Sequence, residues 1–245
     1  MKLFRSSLLM LAESAAFGWF ILRDISFLAV LPLIPLGLLF CRLNHRFATG
    51  KVFWLNGICM AFSVVVTAFV AAEGLFEGKG LLTLLALTLA IGFIGLQIHT
   101  YELERISGWW MTAFLIVFIG MLLATLPGIR WRQQLPPMGD WKDILIFYLL
   151  AFSEPFSLGK DYRCAPLALG GLLVPFGIAA YLALGNGAFA MAEYPYLSVW
   201  SGVSISAFHH IEGIILSLYY GMGALRAAHF FGHFKDKISL QKVIN

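Results

Sequence analysis

Charge is what this sequence has least of. Asp, Glu, Lys and Arg together make up 12% of its 245 residues, against about 25% in a soluble domain. So little charge leaves too little polar surface to face water. Cysteine is nearly absent as well. Cys41, Cys59 and Cys164 are scattered, odd in number and mostly within or beside apolar blocks. They give no metal-ligand spacing and predict no disulfide framework. Segments of about ten residues that alternate apolar and polar side chains are missing too, which argues against a transmembrane β-barrel. A Ser/His/Asp order, a His-Glu-x-x-His pair and a phosphate-binding glycine loop are also not seen, so no enzyme is expected.

Apolar residues are abundant, at 60%, and mean hydropathy is +0.84. They come in long blocks rather than amphipathic stripes, the pattern of lipid-facing helices. Backbone groups in lipid must be satisfied within the segment, so the blocks read as α-helices. The expectation is an all-α, polytopic transmembrane helix bundle, one membrane domain over residues 1–245 with about eight spans. The blocks are Arg5–Leu22, Ile25–Leu43, Val52–Glu73, Gly80–His99, Gly108–Leu126, Trp141–Leu158, Cys164–Leu184 and Ser204–Phe231. Pro32 and Pro35 should kink the second. Met1–Leu22 has a basic start and an apolar core, but no small-residue cleavage site precedes Arg23 and Asp24, so it is read as a helix. The loop Pro127–Asp140 and the stretch Gly185–Tyr196 read as irregular connections.

The net charge is +4. The basic residues sit between apolar blocks, where membrane topology places them, so no nucleic-acid partner is expected; the partner is the lipid bilayer. With the N-terminus cytoplasmic, twelve Lys and Arg fall inside: Lys2, Arg5, Arg42, Arg46, Lys51, Arg105, Lys160, Arg163, Arg226, Lys235, Lys237 and Lys242. Five fall outside: Arg23, Lys79, Arg130, Arg132 and Lys142. That bias favours an even number of spans with both ends cytoplasmic.

Ionisable groups within apolar blocks are functional candidates by default. Glu13 sits among the small residues Ala12, Ser14, Ala15, Ala16 and Gly18, which allow close helix approach or a local break. Glu154 stands in Ser153-Glu154-Pro155. The proline removes a donor and disfavours helix at Glu154. That is the composition of a discontinuous helix, whose freed backbone groups bind an ion or a zwitterion. Otherwise Glu154 marks a helix end at the interface. His99, Glu102, Glu104 and Arg105 form the densest polar cluster, read as a helix end at the headgroups or as a proton site. His210 and Glu212 begin the last block, near His209. His229 and His233 lie four apart near its end, but His209 and His229 are twenty residues apart on one helix, about 30 Å. No metal and no cofactor is expected. Trp109, Trp110, Trp131, Trp141, Tyr194, Tyr196 and Trp200 cluster at block ends, as an interfacial aromatic belt does.

The order of these elements resembles the spore germination permeases, the membrane-spanning subunits of germinant receptors, within the amino acid–polyamine–organocation transporter superfamily. Leu43-Asn44-His45-Arg46-Phe47 follows the second block. Tyr101-Glu102-Leu103-Glu104-Arg105-Ile106 precedes the fifth. Asp140–Phe156 is similar to the family's sixth helix, with its Phe-x-Glu stretch. Tyr194-Pro195 and Phe208-His209-His210-Ile211-Glu212 match its Tyr-Pro and Phe-x-x-Arg-x-Glu elements, with His in place of Arg. The likeness covers about Ile25 to Phe231. It implies two inverted repeats of five helices, with substrate between a broken first and a broken sixth helix. Those correspond to the blocks holding Glu13 and Glu154. Eight spans make this a short member, with three helices in its second repeat. The resemblance implies a permease-like protein that binds or transports a small amino-acid-like nutrient. Its substrate site would be Glu13, Ser14, Gly18, Ser153, Glu154 and Pro155. The alternative is a non-transporting scaffold or signalling subunit bound to other germinant receptor subunits. Either would sit in the bacterial cell membrane or the inner spore membrane.

Overall fold

The computed structural model describes residues 9, 13–23, 25–47, 53–76, 79–95, 97–98, 100–126, 138–158, 162–184, 194–201 and 211–244. These residues form ten helices and no strand: α1 Ser14–Leu22, α2 Phe27–Val30, α3 Leu33–Phe47, α4 Phe53–Phe76, α5 Leu81–Gly95, α6 Thr100–Thr125, α7 Trp141–Leu158, α8 Ala165–Leu184, α9 Pro195–Ser201 and α10 Ile211–Ile244. The all-helical class follows the long apolar blocks. Two helical stretches, Tyr101–Thr125 and Ala165–Leu184, are long and apolar enough to cross a membrane.

α1 is the centre of the fold. It packs against α4, α7, α9 and α10. Eight of its nine residues are buried, and a helix that is apolar all round belongs in a core. At nine residues it is about 13 Å long. It ends at Arg23, whose backbone is extended (φ −110°, ψ 153°). The chain restarts at Ser26, whose Oγ accepts from the Leu28 N–H at 3.2 Å and caps α2. A turn at Leu31 and Pro32 separates α2 from α3. This is the interruption expected from Pro32; Pro35 falls in the first turn of α3, where a missing donor costs no bond.

Around α1 the core is aromatic. Phe20 lies 4.2 Å from Tyr196, and Phe17 meets Phe114 edge-on at 5.5 Å. α10 packs on α4, α5 and α6, and α8 on α2, α3, α6, α7 and α9. α5 and α10 approach through small residues: a Cβ on Gly95 would lie 2.5 Å from that of Ala228.

Several helix limits differ from the sequence expectation. The sixth block is continuous: α7 runs through Pro155 to Leu158. Pro155 leaves the Ala151 carbonyl without its helical donor, but only three residues follow it, so little helix remains beyond it to kink. α6 starts at Thr100 rather than Gly108, taking in the polar stretch before the fifth block. Glu102 lies in its first turn, where a carboxylate complements the helix dipole, and Leu103 and Ser107 are buried. Tyr196, expected in an irregular stretch, is helical in α9. α10 continues past Phe231 to Ile244, so Lys235, Lys237 and Lys242 are helical. The cysteine reading also needs correction. Cys41, near the end of α3, is disulfide-bonded to Cys164, just before α8, with Cα atoms 5.1 Å apart and 123 residues between them in sequence. Spacing along the chain carries no trace of that pairing, because packing of α3 on α8 creates it.

The outside of the bundle is apolar. Ile58, Leu82, Phe93, Ile116, Leu123 and Leu149 are each more than half exposed. An apolar surface on this scale marks contact with lipid or with protein.

Candidate functional site

The interrupted segment α1–α2 carries backbone groups that water cannot reach, and side chains from three other helices meet them. The Tyr219 hydroxyl of α10 donates to the Ser14 carbonyl at 2.6 Å. The Tyr196 hydroxyl of α9 donates to the Ile25 carbonyl, at the break, at 2.5 Å. The Tyr148 hydroxyl of α7 donates to the Ala29 carbonyl at 2.7 Å. Ile25 is fully buried, and a buried carbonyl left unmet costs about 1–3 kcal/mol. Tyr196 meets the non-helical backbone at the break, and Tyr219 and Tyr148 bind helical carbonyls on either side of it, in α1 and α2.

The polar centre lies at the start of α1. Glu13 and Arg226 are the two buried acidic or basic side chains among the described residues, at 1% and 6% exposure. Arg226 Nη1 donates to Ser14 Oγ at 2.8 Å, one residue from Glu13. Tyr219, Met222 and Arg226 are spaced by three and four along α10 and so share one face. A cavity of about 10 Å³ for the centre of a water molecule lies there, lined by Glu13, Ser14, Phe17, Phe114, Leu169 and Met222. That is room for about one water. Gly18 belongs to the same layer: a Cβ at this position would overlap the Tyr219 hydroxyl and lie 2.9 Å from Val70.

At the far end of α1 the charges are exposed. Arg23 pairs with Asp143 of α7 at 3.6 Å and lies 4.9 Å over the Trp19 ring. Trp19 Nε1 donates to the Asp143 carbonyl at 3.2 Å. No protein-family model and no curated protein matches the chain. The site therefore stands on its geometry alone.

Of the site residues expected from sequence, Glu13, Ser14 and Gly18 come together at this centre. Ser153 does not: it lines an outward groove between α7 and Phe40 of α3. Pro155 is buried near the end of α7. Glu154 lies on α7, with its side chain outside the described residues. Glu102 and Arg105 are exposed and Glu104 is half-buried at the start of α6. His99 and His210 lie outside the described residues. Glu212 is in the first turn of α10, and its side chain is likewise not described. Among the described residues no three His, Cys, Asp or Glu side chains gather as metal ligands.

Arg226 is the residue that sequence reading misplaced, counting it among the loop cations. It is a buried core side chain, so it does not belong in that count. The signal was present: Arg226 stands inside the last apolar block, and an Arg in such a block is a functional candidate for the same reason as Glu13. His229 is a second such residue; its Nε2 lies 3.0 Å from Ser107 Oγ, linking α10 to α6.

Proposed function

We propose that this chain is a multi-pass membrane protein of about eight spans, permease-like in the manner of the spore germination permeases. Its role is to bind or move a small amino-acid-like nutrient in the bacterial cell or inner spore membrane. Membrane residence is supported by the scarcity of charge, by the exposed apolar side chains and by the two helices of spanning length and composition. Without Arg226, the basic bias of eleven to five favours cytoplasmic termini. α10, with 34 residues, is about 51 Å long and exceeds the hydrocarbon thickness, so its basic last turns reach the cytoplasmic side.

The observation that carries the binding role is the burial of a carboxyl and a guanidinium in one polar layer against an interrupted helix. Arg226 offers forked donors to a carboxylate. Glu13 offers a partner to an ammonium. Ser14 lies between them and is held by Arg226 until a ligand replaces it. The described state is closed, so a ligand enters only when the surrounding helices open, and the flexible Met222 side chain is suited to yield.

The small cavity favours a second reading, a scaffold or signalling subunit that contacts other receptor subunits and moves no solute. Equilibrium dialysis of the detergent-purified protein against a mixture of labelled amino acids separates the two. The wild type should retain at least one amino acid, and Glu13→Gln and Arg226→Gln should lose it. A folded wild type that retains none contradicts the binding role and leaves the scaffold.

A further inference from the structure

An apolar groove of about 410 Å³ runs along the outside of the bundle between α3 and α7. Phe40 forms one wall, and Leu145, Leu149, Phe152 and Phe156 form the other. Its volume lies within the usual range for small-molecule sites. Phe40 and Phe152 meet edge-on at 5.2 Å, so the floor is packed aromatic surface. From Leu145 to Phe156 the groove follows twelve residues of helix, about 16 Å from first to last. That is about half of a hydrocarbon core near 30 Å thick, the depth of one leaflet.

The two ends of the groove differ in charge. The chain from Arg23 through α2 into α3 runs alongside α7 in the same direction, because Arg23 meets Asp143, Ala29 of α2 meets Tyr148 and Phe40 of α3 meets Phe152 in order along both. The Arg23–Asp143 end is charge-balanced. At the other end, beyond Phe40, Arg42 and Arg163 each adjoin one half of the Cys41–Cys164 bond, whose Cα atoms lie 5.1 Å apart. Arg42 is exposed and Arg163 half-buried. An apolar channel one leaflet deep thus leads to two cations, while the side chains of Glu154 and Asp161 toward the same end lie outside the described residues.

We infer that this groove is a binding site for one anionic phospholipid, its acyl chain lying along Leu145–Phe156 and its phosphate between Arg42 and Arg163. The inference rests on the membrane reading above and adds a specific lipid site to it. It is independent of the Glu13–Arg226 centre, with which it shares no lining residue. A zwitterionic lipid fills the same groove but brings an ammonium to the two arginines, so the headgroup decides.

Native mass spectrometry of the full chain, purified in neutral detergent and titrated with dioleoyl phosphatidylglycerol or dioleoyl phosphatidylcholine, tests this. One phosphatidylglycerol should bind in preference to phosphatidylcholine. Arg42→Gln with Arg163→Gln should weaken it about thirtyfold, the loss expected for two basic side chains at an anionic surface. Leu149→Trp, at a position 58% exposed, should block the groove for both lipids without disturbing the core. Equal binding of the two lipids, or phosphatidylglycerol binding untouched by Leu149→Trp, overturns the inference and leaves the membrane reading intact. Recovery of the chain in the soluble fraction without detergent overturns both.

Discussion

Replacing Arg226 with Met removes the guanidinium and keeps most of the apolar stem. The wild-type side chain is 6% exposed and donates to Ser14 Oγ at 2.8 Å, beside a Glu13 that is 1% exposed. Without the cation, Glu13 is left as a buried carboxyl among Phe17, Phe114 and Leu169. Stranding a buried charge costs about 3–5 kcal/mol. For a chain of this length each kcal/mol shifts Tm by about 2–4 °C. Arg226→Met should therefore lower Tm by about 10 °C, followed by tryptophan fluorescence in detergent. The companion variant decides the cause. If the cost is the stranded carboxyl, Glu13→Gln placed in the Arg226→Met background should recover part of the loss. The coupling energy should fall within about 0.5–3 kcal/mol. An Arg226→Met protein within about 0.5 kcal/mol of wild type, or losses that simply add, would refute the reasoning.

Other expectations follow from the same packing. Gly18→Ala drives a methyl into the Tyr219 hydroxyl and should cost about 1–3 kcal/mol by thermal unfolding; a neutral result would mean α1 and α10 are less closely packed. Tyr196→Phe removes the donor to the Ile25 carbonyl at the break and should cost about 1–3 kcal/mol, with faster hydrogen exchange at residues 25–28; unchanged exchange there would refute the tyrosine's role. Peptide mass mapping without reductant should find one intramolecular Cys41–Cys164 link, in wild type and in Cys59→Ala alike. Links only between chains would contradict the packing of α3 on α8.

The helical class was legible in the sequence because it rests on long apolar blocks, a property of composition over about twenty residues. Glu13 was legible for a related reason, as one charge in an apolar block. Arg226 carried the same signal and was hidden by its use in the loop count. The start of α6 was not legible, because Thr100-Tyr101-Glu102-Leu103-Glu104-Arg105 reads as polar loop until Leu103 and Ser107 are seen to be buried. The tyrosine collar could not be read at all. Its three hydrogen bonds join residues 119, 171 and 205 positions apart, and no local pattern encodes contacts at that range. The Cys41–Cys164 pairing is illegible for the same reason. Pro155 misled in the other direction: it has the chemistry of a helix break, but with three helical residues after it there is no second segment to set off.

The most direct test of a zwitterion held between Glu13 and Arg226 is thermal stabilisation of the purified protein by amino acids and by halves of them. A bound ligand at a hundred times its Kd adds about 2.7 kcal/mol to stability. The account predicts that at least one small amino acid raises Tm. The matching amine without the carboxylate and the matching acid without the amine should not, and Glu13→Gln and Arg226→Gln should abolish the response. A folded protein whose Tm no amino acid moves, or one that the amine or the acid alone stabilises equally, would contradict it.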